Sequence, residues 1–112
     1  MRIITGLARG KRLQTAQGMH TRPTTDRVKE SVFNIIQWDI EGRKVLDLFG
    51  GSGQLGLEAL SRGAASCTIV EADRNAQKAI ETNICSNVYW VRFTSSYEKF
   101  GIYFSKLPLS QL

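Results

Sequence analysis

Apolar residues recur along the chain with two different periods, and the change of period divides it into segments. Residues 2–5 and 12–15 are short β-type runs separated by Gly6, Gly10 and a basic turn, which predicts a small hairpin or ribbon. A ribbon this short has almost no core of its own, so it must lie on the rest of the protein or on a partner molecule.

The next segment has the spacing of an amphipathic helix. Thr24, Thr25 and Asp26 are good N-terminal caps, and apolar residues then follow three and four positions apart. The predicted buried face carries Val28, Val32, Phe33 and Ile36, and the predicted solvent side carries Arg27, Lys29 and Glu30.

From residue 44 onward, strands alternate with helices. The predicted strands cover residues 44–49 and 66–72, and the predicted helices cover residues 56–62 and 73–83. This alternation is typical of βαβ units with a parallel sheet and right-handed crossovers, so the predicted fold class is α/β. Beyond Cys85, where seven of the ten aromatic residues fall, residues 87–93 predict a third strand and the rest shows no clear period.

Residues 45–56 (VLDLFGGSGQLG) lead from a predicted strand into a glycine-rich turn, a common place for a nucleotide-like ligand. Gly51, Gly53 and Gly56 satisfy the pattern G-x-G-x-x-G, which by itself is a weak signal. Such a ligand lies beyond the carboxyl ends of parallel strands, against the amide dipoles of the following helix. Dinucleotides and S-adenosylmethionine both use that place, so the glycines do not choose between them.

Asp47 does discriminate between these ligands. A carboxylate at the end of the strand repels a pyrophosphate and attracts an ammonium group, by roughly a few kcal/mol for unit charges about 4 Å apart. The pattern Asp47-x-Phe49-x-Gly51-x-Gly53 therefore favours S-adenosylmethionine, whose amino-acid end carries an ammonium group. The alternative is that Asp47 only caps the neighbouring turn.

Glu71 ends the second predicted strand, where a carboxylate can accept hydrogen bonds from both hydroxyls of a ribose. Either cofactor contains a ribose, so Glu71 indicates nucleotide binding without identifying the nucleotide. The alternative is a surface acid at a strand end. Asp73 is better explained as the N-cap of the following helix.

The chain has a formal net charge of +5, and the excess is concentrated near its start. Residues 1–29 hold seven lysine or arginine residues against one acid, Asp26. Such a segment is a candidate for contact with phosphate backbones, and a solvated basic surface is an equally good interpretation.

The cysteines and the apolar runs predict the compartment. Cys67 and Cys85 lack metal-ligand spacing and the chain has a single histidine, His20, so no metal site is predicted. Both cysteines are interpreted as reduced packing residues of a cytoplasmic protein. No apolar run has the length of a membrane span, and no apolar signal region follows the basic start, so neither membrane insertion nor secretion is expected.

Three stretches together resemble a known family: residues 21–35 (TRPTTDRVKESVFNI), 45–64 (VLDLFGGSGQLGLEALSRGA) and 70–83 (VEADRNAQKAIETN). They are similar to the bacterial RsmD-type enzymes, which methylate the exocyclic N2 of a guanine in 16S ribosomal RNA. The resemblance covers about residues 1–85. It implies a Rossmann-like class I methyltransferase fold, truncated here to its N-terminal βαβ half and preceded by a basic β-hairpin.

The resemblance also implies roles for individual residues. Those implied to hold S-adenosylmethionine are Asp47, Phe49, Gly51 and Gly53, with Glu71 on its ribose. Those implied to contact RNA are Arg9, Lys11 and Arg12 on the ribbon and Arg22 beside the cofactor and target pocket.

The acceptor side of the reaction is missing from the sequence. The family holds the target amine with an Asp/Asn-Pro-Pro-Tyr/Phe motif, and neither proline of this chain, Pro23 or Pro108, lies in such a motif. The catalytic residues are therefore unknown. Either family sequence gives way to a replaced tail after residue 85, as a frameshift or cut would produce, or the chain is a natural short relative without catalysis.

The expected organisation is a single methyltransferase domain over residues 1–112, with a basic hairpin (1–20), a cofactor-binding part (21–85) and an atypical tail (86–112). The expected function is methyl transfer from S-adenosylmethionine to 16S ribosomal RNA. The alternatives are a non-catalytic basic RNA-binding module and a truncated cofactor-binding fragment. An oxidoreductase is disfavoured by Asp47.

Overall fold

The protein is an α/β structure, described by a computed structural model for residues 1–15, 25–48, 50–86, 90–97 and 100–106. Helices and strands alternate as the sequence predicts, which confirms the α/β class and the central βαβ unit. In chain order the elements are α1 (Asp26–Ile40), β1 (Lys44–Asp47), α2 (Gln54–Ser61), β2 (Ser66–Glu71), α3 (Arg74–Ser86), β3 (Trp90–Tyr97) and β4 (Phe100–Lys106).

The strands form a mixed sheet with the order β1-β2-β4-β3. Strands β1 and β2 are parallel, with Lys44 opposite Ser66, whereas β4 is antiparallel to both β2 and β3. The parallel pairing predicted for the βαβ unit is confirmed for β1 and β2, whereas the antiparallel strand β4 was not part of the prediction. Only two residues separate β3 from β4, too few for the crossover that parallel neighbours require, so the chain returns antiparallel.

Strand β3 confirms the third strand predicted over residues 87–93: it covers Trp90–Tyr97, and residues 87–89 of the prediction lie outside the described residues. Because β4 lies between them and is antiparallel to each, β3 has the same direction as β2. The connection through α3 therefore brings the chain back so that β3 starts at the same end of the sheet as β2, as in a βαβ crossover. Strand β4 itself was not predicted.

Residues 1–15 form the predicted antiparallel ribbon, called the basic ribbon below. Arg2 and Arg12 are bridge partners, and the Ile3 N–H donates to the Lys11 carbonyl at 2.9 Å. Ile3 is 0% exposed and Leu13 is 6% exposed, so one face of the ribbon is part of the protein core. The ribbon therefore lies on the protein, and its basic side chains face outward.

Helix α1 begins as predicted, with the Thr25 hydroxyl accepting a hydrogen bond from the Val28 N–H at 3.3 Å. Its buried face differs from the prediction. Val28 and Val32 are 52% and 47% exposed, whereas Lys29, assigned to the solvent side, is completely buried. Lys29 is buried because its ammonium group forms an ion pair, described below, with a carboxylate of α2.

Helix α2 packs closely on β2. A Cβ atom at Gly56 would lie 2.6 Å from the Sγ of Cys67, so the third glycine of the pattern is required by helix–strand packing. The start of α2 follows directly from the loop after β1, where the Gly50 N–H donates to the Val70 carbonyl, so it lies at the carboxyl ends of β1 and β2. The core between ribbon, helices and sheet is built on Ile3, Leu57, Leu60, Ile69, Ile80 and Ile84.

Candidate functional site

The loop of residues 50–53, called the glycine loop below, joins β1 to α2 at the carboxyl edge of the parallel strands. The Gly50 N–H donates to the Val70 carbonyl at 3.0 Å, and a Cβ at Gly50 would lie 2.2 Å from Ile69. Gly51 and Gly53 have φ values of 58° and 84°, a region that strongly favours glycine. The loop therefore lies close against the end of β2, in a conformation that its glycines make accessible.

Glu71 is in direct contact with the glycine loop. Its Oε1 accepts a hydrogen bond from the Gly51 N–H at 2.8 Å, and its Oε2 accepts from the N–H groups of Ala72 and Asp73 at 2.7 and 3.1 Å. Gly51 and Glu71, which were assigned separately to the cofactor, are thus hydrogen-bonded to each other. The half-buried carboxylate keeps acceptor capacity beyond these bonds, because two ionised oxygens offer about four lone-pair sites.

Asp73 caps α3, as predicted. Its carboxylate accepts a hydrogen bond from the Ala76 N–H at 2.8 Å, and its carbonyl accepts from the Gln77 N–H at 2.9 Å. The Gln77 side chain in turn donates to the Glu71 carbonyl at 2.9 Å. The turn between β2 and α3 is therefore tied to the strand end that holds the glycine loop.

Asp47 is the last residue of β1 and is half-buried opposite Ile69 of β2. It lines an open groove of about 480 Å³ between α1, β1 and α2, together with apolar residues such as Phe33 and Leu55. The residues of the glycine loop and Glu71 are not among those that line this groove. Phe49, assigned to the same cofactor pattern, lies outside the described residues.

The two cysteines differ in burial, and the buried one has a raised pKa. Burial, and to a lesser extent the nearby Asp47 carboxylate, raises the pKa of Cys67 from 9.0 to about 12. Cys67 is buried and Cys85 is exposed, and both are free thiols. The interpretation as packing residues is confirmed for Cys67 and was wrong for Cys85.

The two cysteines should therefore differ in reactivity toward a thiol reagent. We expect N-ethylmaleimide to modify Cys85 in the folded protein, whereas Cys67 is modified only after unfolding in guanidinium. Because the thiolate of Cys67 forms only as the pH approaches a pKa of about 12, mildly alkaline pH should leave Cys67 of the folded protein unlabelled. Peptide mass spectrometry would show this, and rapid modification of Cys67 in the native protein would contradict it.

The basic residues assigned to RNA are exposed on the ribbon. Arg9, Lys11 and Arg12 all point to solvent, whereas Arg22 lies outside the described residues. The ribbon is fastened to α2 by Glu58, whose Oε1 accepts a hydrogen bond from the Ile4 N–H at 2.8 Å. Its basic side chains are thus carried on an anchored element.

Sequence reasoning missed the residues that anchor the ribbon. Glu58 is completely buried, with its carboxylate 3.4 Å from the Lys29 ammonium and 2.9 Å from the Arg62 guanidinium. The spacing of Glu58 and Arg62, four positions apart on a helix, is a signal that could have found this pair. Asn83, which bonds both the ribbon and the glycine loop, offers no such signal.

Within the part of the chain that the structure describes, no helix is both long and apolar enough to cross a membrane.

Comparison with known proteins gives a consistent result. A family described as conserved hypothetical protein 95 matches residues 1–98, which extends into the aromatic segment. The protein YlbH of Bacillus subtilis (strain 168) is 49% identical over 84 residues, which cover 75% of this chain and 46% of the relative. Ribosomal RNA small subunit methyltransferase D of Escherichia coli (strain K12) is 45% identical over 86 residues, covering 77% of this chain and 43% of the relative.

Similarity to a solved structure concerns the fold. The yhhF chain of Escherichia coli superposes with a TM-score of 0.67 at 22% identity, covering 96% of this chain and 98% of that chain. The chain spans about half the length of the curated relatives it matches.

Proposed function

The chain belongs to the family described as conserved hypothetical protein 95, and from this premise we propose that its glycine loop binds S-adenosylmethionine for methyl transfer to ribosomal RNA. The observation that carries the proposal is the contact between Gly51 and Glu71, because it places a carboxylate against a glycine loop at a helix N-terminus. The name of the E. coli relative, ribosomal RNA small subunit methyltransferase D, supports the substrate class.

The residues of the site fit this cofactor. Asp47, at the end of β1 ahead of the loop, would offer its negative charge to the ammonium group at the amino-acid end. Glu71 already accepts three hydrogen bonds, so it would offer its remaining acceptor site to a ribose hydroxyl. Gly51 and Gly53 supply the positive-φ backbone of the loop that would hold the cofactor. Phe49, which lies outside the described residues, belongs to the same proposed set. When bound, the cofactor supplies an electrophilic methyl group on a positive sulfonium, while the protein binds and orients it.

Asp47 also distinguishes S-adenosylmethionine from a dinucleotide, whose pyrophosphate its carboxylate would repel. Isothermal titration calorimetry with S-adenosylmethionine and with NAD⁺ tests this directly. We expect heat of binding with S-adenosylmethionine and none with NAD⁺ at the same concentrations. Binding of NAD⁺ alone would overturn the proposed function in favour of an oxidoreductase.

The finer proposal concerns the substrate and the compartment. We propose that Arg9, Lys11, Arg12 and Arg22 contact phosphates of 16S ribosomal RNA and that the acceptor is the exocyclic N2 of a guanine, in the cytoplasm. The guanine must be splayed out of its stack to reach the methyl group. The side chains that would hold the amine are not assigned, because the family's acceptor motif does not occur in the sequence.

RNA binding should be electrostatic and therefore salt-dependent. Changing Arg9, Lys11 and Arg12 together to glutamine should weaken affinity for single-stranded RNA and reduce the slope of log K against log salt concentration by roughly 2. The matched control changes three exposed basic residues elsewhere to glutamine: Arg43, Lys44 and Lys78. In this control, the slope of log K against log salt concentration should stay close to that of the wild type. Equal losses in both variants, measured by fluorescence polarisation, would mean that net charge and not the ribbon determines binding.

A second candidate function is a non-catalytic RNA-binding module, favoured by the exposed basic ribbon together with the missing acceptor motif. It predicts RNA binding that survives the change of Asp47 to asparagine, with no transfer of a labelled methyl group from S-adenosylmethionine to ribosomal RNA. Methyl transfer by the wild-type chain would exclude it.

A further inference from the structure

Asn83 lies where three parts of the chain meet: helix α3, which carries it, the basic ribbon and the glycine loop. Its side chain is 1% exposed. Its Oδ1 accepts a hydrogen bond from the Gln14 N–H at 2.7 Å, and its Nδ2 donates to the carbonyls of Gln14 and Ser52, each at 2.9 Å. One buried amide therefore joins the ribbon to the loop.

The chemistry of this junction requires an amide. A primary amide nitrogen carries two hydrogens, and here they serve two carbonyl oxygens from distant parts of the chain. A side chain without these donors leaves the buried Ser52 carbonyl without its partner, which is costly, and leaves the Gln14 carbonyl unpaired in a partly buried position. Ser52 also donates to the Met1 Sδ at 3.6 Å, a second contact between loop and ribbon.

We infer that Asn83 is a positioning residue that couples RNA on the basic ribbon to the cofactor in the glycine loop, so that each strengthens binding of the other. The inference rests on the proposed function and adds a regulatory property to its site. RNA bound to the ribbon holds Gln14 in this hydrogen-bonded position and, through Asn83, holds Ser52. The cofactor then meets a loop held in the conformation that it binds, which gives positive cooperativity without a change of shape.

The unmodified protein provides the first test. Hydrogen exchange measured by mass spectrometry should slow in the peptide containing residues 50–53 when a short single-stranded RNA is added. The affinity for S-adenosylmethionine, measured by calorimetry, should rise about fivefold or more at saturating RNA, which is the lower end of typical allosteric coupling.

The second test changes the amide. The variant Asn83→Asp keeps an acceptor for the Gln14 N–H and loses the hydrogen bonds donated to the Gln14 and Ser52 carbonyls. We therefore expect the affinity for S-adenosylmethionine to be about the same with and without RNA. Asn75→Asp is the matched control, because Asn75 lies on the same helix and is exposed, and it should retain the full gain. If Asn83→Asp does not fold by circular dichroism, Asn83→Ser, which has one donor for two carbonyls, replaces it.

The outcomes separate the coupling from the function on which it rests. Cooperativity that is lost in Asn83→Asp and kept in Asn75→Asp supports the inference. Independent binding of RNA and S-adenosylmethionine to the wild-type protein, or unchanged cooperativity in the folded Asn83 variant, overturns the coupling and leaves the proposed function intact. Failure of the wild-type protein to bind S-adenosylmethionine overturns the proposed function and the coupling with it.

Discussion

Replacing Asp47 with asparagine is expected to weaken binding of S-adenosylmethionine by about 10- to 100-fold. The change keeps the size of the side chain and removes its charge, so the cofactor's ammonium group loses a charge-assisted contact of roughly 1.5–3 kcal/mol. The Asp47 side chain is half-buried and is therefore partly shielded from water. Its carboxylate is also the second cause of the raised pKa of Cys67, after burial of the Cys67 thiol. Calorimetric titration at constant ionic strength measures the loss.

The control for this variant is Asp39→Asn, which removes the same charge from an exposed position on α1 and should leave the affinity unchanged. Asp47→Asn should not weaken any residual affinity for NAD⁺, because it removes a repulsion. Wild-type affinity for S-adenosylmethionine in Asp47→Asn would show that Asp47 only caps the neighbouring turn, the alternative that the sequence left open.

Local patterns predicted the elements around the candidate site well, because strand, glycine turn and helix follow one another within a few residues. Asp73 caps α3 and Glu71 ends β2, as the sequence indicates, and α2 begins at Gln54, two residues before the predicted start. Each of these depends on backbone preferences that are read within one turn of helix or one strand.

Long-range contacts were not predictable in the same way. Lys29 was assigned to the solvent side because lysine is rarely buried without a partner, and its partner Glu58 is distant in the sequence. Asn83 and Gln14 are 69 positions apart, and no periodicity connects them. Strand β4 was missed because its residues show no clean alternation, and its place between β2 and β3 comes from pairing across the sheet.

Replacing Glu58 with glutamine is expected to cause the largest loss of stability of any single change considered for this chain. The Glu58 carboxylate accepts hydrogen bonds from the Ile4 and Thr5 N–H groups and faces Lys29 and Arg62. Glutamine leaves the completely buried Lys29 ammonium without its buried counter-charge, and removal of one partner from a buried pair costs about 3–5 kcal/mol. For a domain of ordinary stability, about 5–15 kcal/mol, this is a large fraction.

Urea unfolding followed by circular dichroism measures the effect, with Glu30→Gln on the exposed side of α1 as the control, expected within about 0.5 kcal/mol of wild type. A second change distinguishes lost charge balance from lost packing. Adding Lys29→Met to Glu58→Gln removes the uncompensated ammonium, so the double variant should be more stable than Glu58→Gln alone, with a coupling of roughly 0.5–3 kcal/mol. If the stability losses of Glu58→Gln and Lys29→Met, each measured alone, simply add in the double variant, then packing and not the ion pair holds α1 and the basic ribbon against α2.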